Sequence, residues 1–141
     1  MRIEKIDHIH IYVKDLEKAI TLFSDVLGTK FSDIIVDDNV FHIRSSLDRL
    51  GLELVESITP DGPVSRTIQK RGEGLAAISL KVPDLEEAVK ELQAKGLTLV
   101  SRIALGKIKE AQFHPRDAHG VMIELCEYEE ESGAARAALG R

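Results

Sequence analysis

The sequence predicts an α+β fold: two tandem βαβββ modules forming a curved eight-stranded sheet around a cavity. Three observations carry this. Hydrophobic periods run strand, helix, then three strands, and the same order returns in the second half. Short strings recur at nearly constant spacing. Asp15-Leu16-Glu17 and Asp84-Leu85-Glu86 lie 69 apart, Phe41-His42-x-Arg44 and Phe113-His114-x-Arg116 lie 72 apart, and Leu52-Glu53-Leu54 and Ile123-Glu124-Leu125 lie 71 apart. Matches in one order with so little drift favour duplication. The length, 141 residues, suits one domain with its own core.

In residues 6–13, Ile9, Ile11 and Val13 alternate with His8, His10 and Tyr12, the period of a half-buried strand. Asp15 caps a helix carrying Leu16, Ala19, Ile20, Phe23 and Leu27 on one face, and Gly28 ends it. Strands follow near 31–36, 40–45 and 51–56, with Asp37-Asp38-Asn39 and Gly51 as turns. A connection over 58–74 holds one or two helical turns from Val64 to Lys70. The pattern then restarts with a strand over 75–82. A second helix is capped by Asp84, with Glu87 completing a capping box, and Gly96 ends it. Strands near 97–104, 109–114 and 121–128 complete the repeat. Module one spans about 1–57, the linker 58–74 and module two about 75–128, with a flexible tail over 129–141.

The bulk composition excludes several classes. A net charge of −5 argues against a nucleic-acid footprint, which needs a basic face. Cys126 is the one cysteine, so no internal disulfide forms and a reducing compartment is expected. The charged start is not a secretory signal, and no apolar run nears ~18 residues. The expectation is a cytoplasmic protein with neither a membrane nor a nucleic-acid partner.

Strand alternation also assigns the polar residues. If Ile9, Ile11 and Val13 pack under a helix, His8, His10 and Tyr12 face the other way. Leu52 and Leu54 oppose Glu53, while Val121, Ile123 and Leu125 oppose Met122, Glu124, Cys126 and Tyr128. In one curved sheet, His8, Glu53 and Glu124 would converge. Inward carboxylates and imidazoles are costly unless paired or metal-bound. The alternatives are a wet sheet surface or pairing with Arg44 and Arg116.

These stretches resemble the vicinal-oxygen-chelate superfamily (glyoxalases, bleomycin resistance proteins and dioxygenases) and, within it, the methylmalonyl-CoA epimerases. The resemblance covers about residues 5–128. It is carried by IDHIHIYVKDLEKAI, PDGPVSRTIQKRGEGL, FHPRDAHGVMIELCEY and the paired LEL and IEL strands. It implies one divalent metal ion (Co, Mn, Ni, Zn or Fe) held by a His on the first strand, a Gln or Glu on the fourth, a His on the fifth and a Glu on the eighth. Here those places fall on His8, Glu53, Ala77 and Glu124. The family's Gly-Leu-His-His-Ile reads Gly74-Leu75-Ala76-Ala77-Ile78, so the second histidine is missing. Three arrangements answer the vacancy: an open three-ligand site, help from His10, or no metal at all.

The resemblance further implies proton abstraction alpha to a carbonyl of a small acyl substrate. Glu53 and Glu124, the inward carboxylates, are the catalytic candidates. If both bind metal, the base comes from elsewhere or from a ligand that swings free, the family's separate catalytic glutamate having no match near His42. His10, His42, Arg71 and His114 are expected to bind the substrate. Lys70 and Arg71, with Arg66, would meet the phosphates of a CoA thioester. His42 and His114 have an alternative as strand-end histidines bonded to backbone. A homodimer is expected, because two modules leave sheet edges to cover. The rival functions are a metal-free binding protein of the same fold and a dioxygenase-like relative. The low aromatic content, 4%, weakens the first, and Ala77 weakens the second.

Overall fold

The computed structural model describes residues 1–129, so the tail expected to be flexible lies almost wholly outside the described residues. The elements are β1 (Lys5–Tyr12), α1 (Leu16–Leu27), β2 (Ile35–Asp37), β3 (Ile43–Leu47), β4 (Leu52–Ser57), α2 (Pro63–Arg71), β5 (Gly74–Lys81), α3 (Leu85–Ala94), β6 (Leu99–Leu105), β7 (Ile108–Phe113) and β8 (Met122–Glu127). The strands hydrogen-bond in the order β2-β3-β4-β1-β5-β8-β7-β6. The α+β class, the eight strands and the tandem βαβββ order are those expected.

The chain gathers into two compact units. Of the described residues, one holds His10–Leu75 and the other Met1–Ile9 together with residues 76–129. In the first unit, β2, β3 and β4 form antiparallel ladders. Val13, Leu16, Ala19, Phe31 and Leu54 form its core, with Ile11, Ile20, Phe23 and Leu52 packed against them. The Asp15 carboxylate accepts from Lys18 N–H at the start of α1, and Gly28 closes it in the left-handed conformation, φ 62°. A side chain there would be strained.

In the other unit, β5 lies parallel to β8, and β8, β7 and β6 are antiparallel. Its core is Val82, Leu85, Ala88, Val89, Ala111, Phe113 and Leu125. Burying each large side chain contributes about 1.5–3 kcal/mol before the entropy of ordering is subtracted. Asp84 accepts from Glu87 N–H at the head of α3, the Asp84 half of the expected capping box.

The second and third strands start later than expected. Asp37 accepts from the backbone N–H groups of Asn39, Val40 and Phe41. These bonds fold residues 38–42 into a turn, the local alternative that Asp offers to a strand ladder. Phe31, assigned by sequence to the second strand, makes one isolated bridge to Asp48.

The ladders test the duplication and correct one of its three matches. Glu53 stands opposite Leu47, and Glu124 opposite Gln112, so β3 and β7 correspond at a spacing of 65, not 72. The Phe-His-x-Arg strings are therefore not equivalent: Phe41 precedes β3, whereas Phe113 is the last residue of β7. The true correspondence appears in ion pairs. Arg44 meets Glu56 at 2.9 Å, and Lys109 meets Glu127 at 3.3 Å. Each glutamate also accepts the first N–H of its unit's helix: Leu16 N to Glu56 at 2.7 Å, and Leu85 N to Glu127 at 3.0 Å. A carboxylate at a helix N-terminus satisfies an orphan donor and opposes the helix dipole.

Candidate metal centre

In the unit built from Met1–Ile9 and residues 76–129, polar residues share one face of the sheet. In β7 (IKEAQF), Ala111 and Phe113 enter the core, which turns Glu110 and Gln112 the other way. The register sets Gln112 opposite Glu124 and Glu110 opposite Cys126. On the other side of β8, Ser79 stands opposite Glu124. Ser79 and Gln112 are fully buried, and Glu124 is 3% exposed.

The side chains form a connected series. Tyr128 O–H donates to Asp7 Oδ1. Asp7 Oδ2 lies 2.8 Å from His8 Nδ1, so that nitrogen carries the proton and donates it. His8 Nε2 then faces Glu124 Oε2 at 3.2 Å. The other Glu124 oxygen accepts from Gln112 Nε2 at 2.8 Å, and Gln112 Oε1 accepts from Ser101 Oγ at 2.7 Å. Both sides of the His8–Glu124 contact are thus oriented from behind. A neutral imidazole would turn a lone pair at a carboxylate lone pair there. The contact therefore calls for a proton between the two atoms, on Nε2 or on the carboxyl, or for a cation. A carboxylate behind a ligating histidine is the usual support for a metal-binding ring.

Donor atoms of His8, Glu110 and Glu124 all lie within 4.8 Å of one another. Oxygens around a Ca²⁺-sized ion, bound at 2.3–2.6 Å, sit up to ~5 Å apart, and smaller ions draw ligands in further. Donor type, burial and spacing therefore fit a divalent ion. Among the described residues Ser79 Oγ makes no hydrogen bond of normal geometry, and the Cys126 thiol lies beside it. Burial pushes that thiol up to about 12, so it stays protonated and is a poor nucleophile.

In the His10–Leu75 unit, His10 Nε2 meets Glu53 Oε2 at 3.1 Å. Both lie on the faces the sequence assigned them, opposite Ile11 and the Leu52 and Leu54 side chains of the core. His42 sits in the Asp37 turn at φ 53°, with Nδ1 3.5 Å from Asp38. His114 caps the short 3-10 helix Pro115–Ala118, accepting from Arg116 N–H at 3.1 Å. Arg71 is exposed with Lys70 in the last turn of α2, where positive charge suits the helix dipole.

A model of the family described as "Glyoxalase/Bleomycin resistance protein/Dioxygenase superfamily" matches residues 5–125. The chain belongs to that superfamily. Among its relatives, an uncharacterized protein of Bacillus subtilis, YqjC, is 33% identical over 129 residues, 87% of this chain and 91% of that one. The mitochondrial methylmalonyl-CoA epimerase of Mus musculus is 27% identical over 130 residues, 88% of this chain and 73% of the mouse protein. A solved methylmalonyl-CoA epimerase, in complex with methylmalonyl-CoA and NH4+, superposes with a TM-score of 0.81 at 25% identity, covering 93% of this chain and 99% of the other.

Sequence reasoning placed His8, Glu124 and Tyr128 on the side of their strands away from the apolar set but did not single out Asp7, Glu110 or Gln112. The signal for two of them was present. Lys109-Glu110-Ala111-Gln112-Phe113 alternates, and its apolar set fixes the face of Glu110 and Gln112. Asp7 carried no such signal, because a residue adjacent to His8 is expected on the opposite face.

Proposed function

We propose that this protein is a metal-dependent enzyme that removes a proton alpha to the carbonyl of a small acyl substrate, a CoA thioester as in its methylmalonyl-CoA epimerase relatives. The observation that carries the reading is the buried His8–Glu124 contact, held from behind by Asp7 and Gln112. His8 Nε2 and Glu124 are the residues that would hold the ion. When bound, a divalent ion supplies electrophilic stabilisation to charge developing on a carbonyl oxygen. Asp7 keeps the His8 ring in one tautomer, and Gln112 fixes which Glu124 oxygen faces it. The family resemblance gives Glu53 a ligand's place, and we propose that it swings free to act as the base. Its imidazole partner His10 suits the base role, since a carboxylate beside an imidazole has a group with which to share a proton. Arg71 and Lys70 are proposed to meet the thioester's phosphates.

The test is deuterium exchange at C2 of methylmalonyl-CoA in D2O, followed by NMR, with Mn²⁺ or Co²⁺ added and with EDTA. Exchange that requires the ion and falls in Glu53→Gln supports the reading. Absence of exchange with every added ion rejects it. We also propose a homodimer. β2 is an edge strand whose Ile35 and Val36 are more than half exposed, a liability that pairing removes. Light scattering at micromolar concentration decides this, and a monomer refutes it.

A further inference from the structure

We infer that Glu110 on β7 is itself a ligand of the divalent ion, supplying coordination that position 77, an alanine here, does not. The inference rests on the metal reading above. Its geometry belongs to one compact unit. Glu110 lies two residues from Gln112 on the same face of β7, so it is the diagonal cross-strand neighbour of Glu124. Diagonal neighbours are within reach of long side chains, and here an oxygen of each carboxylate lies within 4.8 Å of the other. A Glu110 oxygen, a Glu124 oxygen and a His8 nitrogen converge within 4.8 Å. Lys109, next in sequence, turns to the other face and is engaged by Glu127.

Two carboxylates brought against one imidazole are mutually repulsive unless positive charge lies among them. A divalent ion answers both at once. Ala77 shares this sheet face: it pairs with Met122, two residues before Glu124, and is 2% exposed. It brings a methyl group where the family resemblance places an imidazole. Exchanging a nitrogen donor for a carboxylate hardens the site. With two oxygen donors and one nitrogen, Mn²⁺ and Mg²⁺ gain on Zn²⁺.

The experiment is calorimetric titration of the full-length protein, stripped with EDTA, with MnCl2 and separately with ZnCl2. The proteins are wild type, Glu110→Gln, Glu110→His and Glu110→Gln/Ala77→His, each checked for folding by circular dichroism. Glu110→Gln is expected to weaken Mn²⁺ binding at least ~10- to 100-fold, the loss that even supporting residues around a metal produce. Glu110→His is expected to retain Zn²⁺ while losing Mn²⁺, a change of selectivity that a purely structural role would not give. The double variant is expected to regain Zn²⁺ affinity. Wild type that binds neither ion overturns the metal reading and this inference with it. Wild type that binds, with Glu110→Gln and Glu110→His both unchanged in affinity and selectivity, overturns the role of Glu110 alone. If Glu110→Gln fails to fold, the selectivity of Glu110→His decides.

Discussion

Replacing Gln112 by Leu isolates the support behind Glu124. Gln112 is fully buried, and its amide makes two bonds: Nε2 to Glu124 at 2.8 Å and Oε1 from Ser101 at 2.7 Å. The bond to the carboxylate is charge-assisted, at about 1.5–3 kcal/mol, and the neutral one is worth about 1 kcal/mol. Leu has similar volume, so the cavity contribution is small. The expected loss is about 3 kcal/mol, read as a fall in the urea midpoint at constant slope. The partner matters more than the bond, because Gln112→Leu leaves a buried carboxylate oxygen without its donor. In Glu124→Leu/Gln112→Leu that stranded group is gone. The pair should therefore cost at least ~1 kcal/mol less than the sum of its singles. A single-variant loss below ~0.5 kcal/mol, or strict additivity, would show that Gln112 does not hold Glu124 and would remove the orientation argument for the metal centre.

Three further outcomes follow from other parts of the molecule. Glu56→Ala and Glu127→Ala each remove the acceptor for a helix's first N–H, and each should lower stability by about 1–2 kcal/mol in urea titration; a loss in one alone would contradict the shared capping role. Burial pushes the Asp37 carboxyl up, but the N–H groups of Val40, Asn39 and Phe41, with His42 nearby, together hold it below its ordinary 3.8. A depressed folded value means its stabilisation is present above the unfolded value and is lost as pH falls through the folded one, so Asp37→Asn should flatten the acid limb of stability below pH ~4; an unchanged limb would refute this. The Cys126 thiol, pushed to about 12 by burial, should react with a disulfide reagent at pH 8 only as fast as the chain unfolds; the reaction rate of a free thiol would refute its burial.

Where apolar residues alternate cleanly, the sequence is legible. The periods around Ile9, Leu54 and Leu125 give both the elements and the faces, because core packing and strand geometry agree there. The strands near Asp37 are misplaced because three backbone bonds to one carboxylate override a weak β pattern. The Phe-His-x-Arg match failed for a different reason: identical letters carry no register, and only the ladder says what stands opposite what. At the site, His8 and Glu124 are legible as isolated polar residues on apolar strands. Asp7 is not, because its contact with His8 depends on a side-chain path that no periodicity encodes.

The ladder correspondence also says something about descent. By register, Glu110 matches Ser45 and Gln112 matches Leu47, while Glu124 matches Glu53. After a doubling, each ancestral position exists twice, and selection acts on the copies separately. One half now carries a glutamate and an amide where the other carries a serine and a leucine. By the 69-residue offset between Asp15 and Asp84, Ala77 is the counterpart of His8. A donor lost from one strand of such a chain need not be restored in place, because a nearby strand of the same half offers other routes by single substitutions. Relatives that keep histidine at the place of Ala77 would then be free to vary at the place of Glu110, and an alignment deep enough to count both positions should find the two residues seldom together.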